Sequence, residues 1–126
     1  MLTNFRQMLQ DAYRDHVAIG SFNAYNYETI RGILEAGKQM GGGPVIVAFG
    51  KKYLSNMSLQ DAAAIVRSLA AELDMPVCLH LDHCSDINII CQAIECWTIG
   101  GTISGVTSLV IILILSLFQN VLPGLM

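Results

Sequence analysis

The sequence predicts an α/β protein in which helices cover a parallel sheet, and three observations support this fold class. Three short runs of continuous apolar residues are typical of strands buried on both faces. Each run is followed by an amphipathic segment with apolar residues at helical spacing. Glycine, proline or a helix-capping residue marks the junctions. A doubly wound sheet and a (β/α)8 barrel both fit this pattern, and in both architectures sites lie at the carboxyl ends of strands.

The first part of the chain is predicted to form two helices separated by a strand. A helix covers Asn4–Asp15, because its apolar residues recur at helical spacing along one face. A buried strand follows over His16–Phe22, and Asn23–Asn26 is a polar turn. The second helix covers Tyr27–Met40 and ends at Gly41–Pro44, since glycine and proline do not continue a helix.

Two further strand–helix pairs follow in the same order. The second predicted strand is Val45–Phe49, and Gly50–Asn56 is a loop. Ser58 is predicted to cap a third helix, which the Met75–Pro76 pair ends. The third predicted strand is Val77–Leu81.

A fourth helix is predicted from Asp86 to about Cys96, with Ser85 as its cap. Its spacing of apolar residues predicts one buried stripe. The residues expected to face inward are Ile87, Ile90, Cys91 and Ile94.

Charge divides the chain into two parts. All of the 7 basic and 10 acidic residues lie at or before Glu95, so residues 1–95 and 96–126 are predicted to be separate regions. The net charge of −3 gives no basic surface of the kind that binds nucleic acid. Residues 97–118 have the length of a membrane span, which makes membrane association one expectation. Two alternatives to a membrane span remain. The segment is a buried helix or pair of strands, or it is not the natural continuation of the protein.

The amino-terminal segment carries charges where a signal peptide needs an apolar region. This pattern predicts a cytoplasmic protein whose 4 cysteines are reduced, since disulfides are rare in that compartment.

Polar residues cluster at the end of the third predicted strand. Alternation places His80 and Asp82 on one face of the strand, and His83 begins the loop. A neutral imidazole is a good zinc ligand, and a carboxylate beside a metal-bound substrate can transfer protons. A strand end whose polar residues only cap the next helix is the alternative. Zinc needs three or four protein ligands, so these residues alone do not make a metal site.

Together with its surroundings, this motif resembles the class II ketose-bisphosphate aldolases, which are zinc-dependent fructose- and tagatose-bisphosphate enzymes. The similarity extends over about residues 1 to 95, in the order Met8-Leu9, Ala18–Asn23, Pro44–Val47 and Pro76–Cys84. It implies a truncated (β/α)8 TIM barrel, with an N-terminal helix and about three βα units followed by an apolar tail that does not match.

The resemblance also implies roles for individual residues. Asp82 matches the catalytic acid/base, which exchanges a proton with the substrate hydroxyl during carbon–carbon bond cleavage. His83 matches the first of three histidine ligands of a zinc ion that acts as a Lewis acid, and Asn23 matches a residue that contacts substrate. His80 is expected to support the site from beside it. The implied reaction is reversible cleavage of a ketose 1,6-bisphosphate to dihydroxyacetone phosphate and an aldehyde phosphate, by a homo-oligomer.

The sequence departs from the family pattern in two ways. Gly50 stands where the family usually has a serine that polarises the substrate carbonyl, and Lys51-Lys52 replaces a small acidic-glycine segment. No histidine follows His83, so the other two zinc ligands are missing. The resemblance implies that the catalytic glutamate belongs to later strands, which residues 97–126 do not match. We therefore expect a lyase by family whose 126-residue chain is inactive, and marginally stable because its sheet edge is open. A small membrane-tethered protein without catalysis and an interrupted gene product are the alternatives.

Overall fold

The structure, a computed structural model, describes residues 2–3, 5–98 and 106–107. Within these residues four parallel strands form one sheet with the order β1-β2-β3-β4. The strands are β1 (Gly20–Ala24), β2 (Val45–Gly50), β3 (Val77–Asp82) and the short β4 (Val106–Thr107). The helices are α1 (Phe5–Asp15), α2 (Tyr27–Gln39), α3 (Leu59–Ala71) and α4 (Ile87–Thr98), with a 3₁₀ turn at Lys51–Tyr53.

The strand order distinguishes between the two predicted architectures. Strands that follow one another in sequence are neighbours in the sheet. A doubly wound sheet reverses this order at a switch point, whereas a barrel adds each strand on the same side of the last one. The described residues therefore form a segment of a barrel.

The sheet separates two apolar clusters. Helices α2, α3 and α4 pack on one face, where every second residue of β2 and β3 is buried. On the opposite face, Met8 of α1 packs against Ile46 and Cys78, with Phe5 and Ile19 partly buried beside them. The main cluster includes Ile30, Leu34, Val47, Phe49, Val66, Leu79, Leu81 and Ile90.

Two helix starts agree with the sequence prediction. The Asn26 side chain accepts a hydrogen bond from the Thr29 backbone N–H at 2.9 Å, and Thr29 Oγ1 accepts one from the Asn26 backbone N–H at 3.1 Å. Ser58 Oγ accepts a hydrogen bond from the Asp61 N–H at 3.0 Å. These bonds satisfy N–H groups that have no partner within the first turn of a helix.

The first strand lies later in the sequence than predicted. The prediction was His16–Phe22, whereas β1 begins at Gly20 and includes Asn23, which was assigned to a turn. His16 has a φ of 56°, and the Val17 N–H donates to the Ala12 carbonyl at 3.0 Å. Because these residues close the end of α1, the extended backbone begins only beyond them.

The predicted inner face of α4 is wrong at three positions, because Ile87, Cys91 and Ile94 are exposed. The buried stripe instead contains Ile90, Ala93 and Trp97. The Trp97 Nε1–H donates to the Leu59 carbonyl at 3.3 Å. Most residues of α4 are apolar, so spacing alone allows several stripes, and this tertiary contact selects one of them.

The start of α4 also differs from the prediction by one residue. The helix begins at Ile87, and Asp86 rather than Ser85 precedes it. Asp86 Oδ1 accepts a hydrogen bond from the Asn88 N–H at 3.1 Å, which is the bond that a capping side chain makes.

Most of the predicted tail, residues 96–126, lies outside the described residues. Two of its residues form β4, in which Val106 pairs with Leu81 and Thr107 with Asp82. A fourth parallel strand therefore lies beside β3. The family resemblance predicts that the tail contains no matching strand. Among the described residues, no helix has both the length and the apolar character that crossing a membrane requires.

The packing of α2 on the sheet can be tested with two matched substitutions. Ile30→Val should lower the free energy of unfolding by about 0.5–1.5 kcal/mol, because it removes a methylene from a side chain that is 1% exposed. Ile87→Val, at a position 48% exposed, should change this free energy by less than about 0.5 kcal/mol. Urea denaturation followed by circular dichroism measures both values. Equal losses for the two variants would contradict the described core.

Candidate functional site

The carboxyl ends of the strands bring the predicted site residues to one face of the sheet. Asn23 pairs with Ala48, and Ala48 pairs with His80, so these three positions form a row across the strands. The next row toward the carboxyl ends contains Gly50 and its partner Asp82. Since neighbouring positions alternate between faces, both rows lie on the face opposite α2, α3 and α4.

Asp82 lies between two histidines. Its Oδ1 is 3.8 Å from Nε2 of His80, and its Oδ2 is 3.8 Å from Nε2 of His83. The exposed fraction of the side chain is 93% for His83, 27% for Asp82 and 8% for His80. The three side chains therefore form a series from the exposed His83 to the buried His80. A substrate can reach the Asp82 carboxylate from the end of the sheet.

His80 is held from the interior by α1. Its ring stacks on the Phe5 ring, with 5.8 Å between the centroids and 22° between the planes. A histidine that is buried and stacked in this way borders the Asp82 carboxylate from the interior, and its exposure is too small for direct contact with a substrate. The expectation that His80 supports the site from beside it stays a prediction.

The loop that carries His83 is fixed at both of its ends. On one side it continues β3, and His83 itself adopts a left-handed conformation with a φ of 48°. On the other side Asp86 Oδ2 accepts a hydrogen bond from Lys51 Nζ at 3.3 Å. This bond joins the loop after β3 to the loop after β2, and it holds the pKa of the Asp86 carboxyl below its ordinary value.

Aromatic side chains join the loops after β1 and β2. The Tyr53 ring lies 5.3 Å from the Tyr25 ring and 6.2 Å from the Phe49 ring, measured between centroids. The Asn56 side-chain amide donates to the Tyr25 carbonyl at 3.4 Å. Lys52 Nζ lies 4.8 Å from the centroid of the Tyr53 ring. Neither Tyr25 nor Tyr53 is predicted from the sequence as a site residue. Their positions soon after the ends of β1 and β2 are the one sequence feature that points to them.

The described residues do not fit a complete zinc site. Zinc in proteins takes three or four side-chain ligands. No group of three or more His, Cys, Asp or Glu side chains in the described part of the chain could hold a metal ion. His83 is an accessible imidazole that could be one ligand, and the 4 cysteines are free.

Gly50 does not need to be glycine for reasons of space or backbone. Its φ is −90°, and an added Cβ would lie 3.5 Å from the Asp82 carbonyl and 3.6 Å from the Tyr53 ring. These are ordinary van der Waals distances. A serine, the residue that the resemblance leads one to expect here, would fit in the same row as Asp82.

Gly50→Ser is therefore expected to leave the free energy of unfolding unchanged or to raise it by up to about 1 kcal/mol. Gly41→Ser is the matched control, because Gly41 has a φ of 100° and nothing within 4 Å of an added Cβ. That variant should lose stability through backbone strain alone. Thermal and urea denaturation measure both, and a similar loss at the two positions would contradict the geometry at Gly50.

The ion pair between Lys51 and Asp86 predicts a pH-dependent contribution to stability. Because folding lowers the pKa of Asp86, its contribution is present above the ordinary carboxyl pKa and is lost as the pH falls below about 3.9. Asp86→Asn should lower the melting temperature at pH 7, and this difference should disappear in acid. Asp74→Asn, at an exposed position, is the control. A difference that persists at low pH would contradict the ion pair as its cause.

Comparison with known proteins identifies what this arrangement is similar to. The family model described as class-II fructose-bisphosphate aldolase matches residues 3–112, a range that extends beyond Glu95. A sulfofructosephosphate aldolase from Alkalicoccus urumqiensis is 38% identical over 90 residues, which are 71% of this chain and 31% of that protein. The uncharacterized protein YdjI of Escherichia coli strain K12 is 35% identical over 100 residues, 79% of this chain and 34% of that one.

Solved structures show the same similarity. The crystal structure of the YdjI aldolase from Escherichia coli K12 matches with a TM-score of 0.66 and 34% identity, over 74% of this chain and 36% of that chain. A protein from Coccidioides immitis described as a fructose-1,6-biphosphate aldolase matches with a TM-score of 0.59 and 26% identity, over 71% and 33% of the two chains. The chain thus spans about a third of the length of the relatives it matches.

Proposed function

Since the chain belongs to the class II fructose-bisphosphate aldolase family, a family of lyases, we propose that it carries the residues that move the substrate proton in aldol cleavage. The observation that supports this proposal is the position of Asp82. Its carboxylate is partly exposed at the carboxyl end of β3, between a buried and an exposed histidine. A general base needs an accessible carboxylate, and the partly exposed position of Asp82 at the end of β3 provides this access.

In the cleavage direction, Asp82 accepts the proton of the hydroxyl group that lies β to the ketose carbonyl. The electrons of that O–H bond form the new aldehyde C=O, and the neighbouring carbon–carbon bond breaks. Its electron pair moves toward the ketose carbonyl and leaves an enediolate, which becomes dihydroxyacetone phosphate after protonation. In the synthetic direction Asp82 returns the proton to the aldehyde oxygen. His80, whose Nε2 lies 3.8 Å from Oδ1, borders the carboxylate on its buried side.

His83 is proposed as one ligand of the zinc ion that the family resemblance implies. When bound, the ion would act as a Lewis acid on the ketose carbonyl and stabilise the enediolate. The described residues contain no group of three ligands, so His83 is the one ligand assigned within them. For this chain alone we expect weak zinc binding, because one imidazole and a nearby carboxylate leave most of the coordination sites to water.

The proposed substrate is a phosphorylated ketose, with Asn23 at the end of β1 as a contact residue. The fructose-bisphosphate description of the family and the sulfofructosephosphate name of one relative define two candidates within this class. We propose that the protein acts in the cytoplasm as a homo-oligomer. Residues 1–95 are proposed as the main part of the barrel. The uncharged residues 96–126 are proposed as a region that differs in composition, although α4 and β4 extend the barrel into it.

A chimera tests the proposal directly. Residues 1–95 of this chain would replace the corresponding part of the Alkalicoccus urumqiensis sulfofructosephosphate aldolase, which supplies the rest of the barrel. Release of dihydroxyacetone phosphate would be measured with fructose 1,6-bisphosphate, tagatose 1,6-bisphosphate and sulfofructose phosphate. We expect turnover by the chimera and none by the 126-residue chain with added zinc.

In the chimera, Asp82→Asn should lower kcat by about 10²–10⁴-fold with little change in KM, because it removes the proton acceptor. His83→Ala should lower the bound zinc, measured by elemental analysis. Asp74→Asn, an exposed position away from the site, should leave both values unchanged. If the Asp82→Asn chimera retains full kcat, Asp82 is not the group that accepts the substrate proton.

A further inference from the structure

We propose that Lys52 binds a tetrahedral oxyanion, the phosphate or sulfonate group at one end of the substrate, at the loop that follows β2. This inference rests on the proposed function and adds a specificity-determining residue to it. Lys52 lies two residues after Gly50, which is the register partner of Asp82. An anion bound by Lys52 would therefore lie at the same end of the sheet as the carboxylate that accepts the substrate proton.

The two neighbouring lysines have different partners. Lys51 Nζ is paired with the Asp86 carboxylate at 3.3 Å. Lys52 has no ion pair among the described residues, and its ammonium instead lies over the Tyr53 ring. An ammonium group has three N–H donors, and contact with an aromatic face leaves donors available for an oxyanion.

The position of Lys52 is restrained before any ligand binds. Tyr53 is packed between Tyr25 and Phe49, and Phe49 is fully buried in the main cluster. A lysine that rests on a fixed ring loses less side-chain freedom on binding than one extended into solvent. This restraint distinguishes Lys52 from an ordinary surface lysine.

The charge balance at this end of the sheet also favours an anion at Lys52. Asp82 and Asp86 are both acidic, and Lys51 neutralises only one of these charges through its ion pair. Without Lys52 a negatively charged substrate would approach a surface with one excess negative charge. With Lys52 the four groups balance, so a phosphate or sulfonate can approach without net repulsion.

The test is a titration of the 126-residue chain with inorganic phosphate and, separately, with methanesulfonate, followed by ¹H–¹⁵N NMR. Sodium chloride keeps the ionic strength constant. We expect saturable shifts of the Lys52 and Tyr53 amide signals, with dissociation constants in the millimolar range. Saturation by phosphate only, by methanesulfonate only or by both supports the inference and identifies which end group is accepted.

Three variants make the result specific. Lys52→Met keeps the aliphatic stem and should weaken binding at least about 10-fold, whereas Lys52→Arg should retain it. Lys38→Met removes the same charge from the last turn of α2, near the amino ends of the strands, and should bind as the parent does. If Lys52→Met does not fold, Lys52→Gln removes the same charge and takes the place of that variant, and unchanged binding in Lys52→Gln would overturn the inference.

Shifts no larger than those caused by chloride would overturn the inference, as would unchanged binding in Lys52→Met. The outcome is independent of the chimera experiment, because it needs neither turnover nor zinc. Anion binding with an inactive chimera would retain Lys52 as an anion site and reject the proton-transfer proposal. An active chimera without anion binding would reject Lys52 as an anion site and leave the proton-transfer proposal in place.

Discussion

The parallel register between β2 and β3 is the constraint on which the rest of this structure depends. It pairs Gly50 with Asp82 and Ala48 with His80, and thereby decides which residues share a face. A shift of β3 by one residue against β2 would turn Asp82 toward α3 and α4 and would bring Leu81 out of the core. The register is held on the helical side by Val47, Phe49 and their neighbours, all of which are buried. Apolar packing on one face therefore places the polar residues on the other.

The loops beyond the strands are joined in pairs. Tyr25 contacts Tyr53 between the loops after β1 and β2, and Lys51 contacts Asp86 between the loops after β2 and β3. Neither contact is buried deeply, so each contributes modestly to stability. Their main effect is positional, since they connect the loops of three consecutive βα units at the end of the sheet that carries Asp82.

Local sequence signals predicted those elements whose ends depend on nearby residues. Strands β2 and β3 coincide with continuous apolar runs. Ser58 precedes α3 and caps it with its side chain, as the sequence predicts. The start of β1 could not be predicted, because the exit from α1 and the pairing with Val45 decide it. The buried face of α4 likewise depends on a contact between Trp97 and Leu59, which are 38 residues apart.

The candidate site shows the same division. Strand alternation alone predicts that His80 and Asp82 share a face, whereas the pairing of Lys51 with Asp86 joins residues 35 apart and has no local signal. The sequential strand order also bears on how such a chain acquires its structure. Each new strand can pair with the one made just before it, so no strand needs a partner from a distant part of the chain. Folding can therefore proceed from the amino terminus during synthesis, one βα unit at a time.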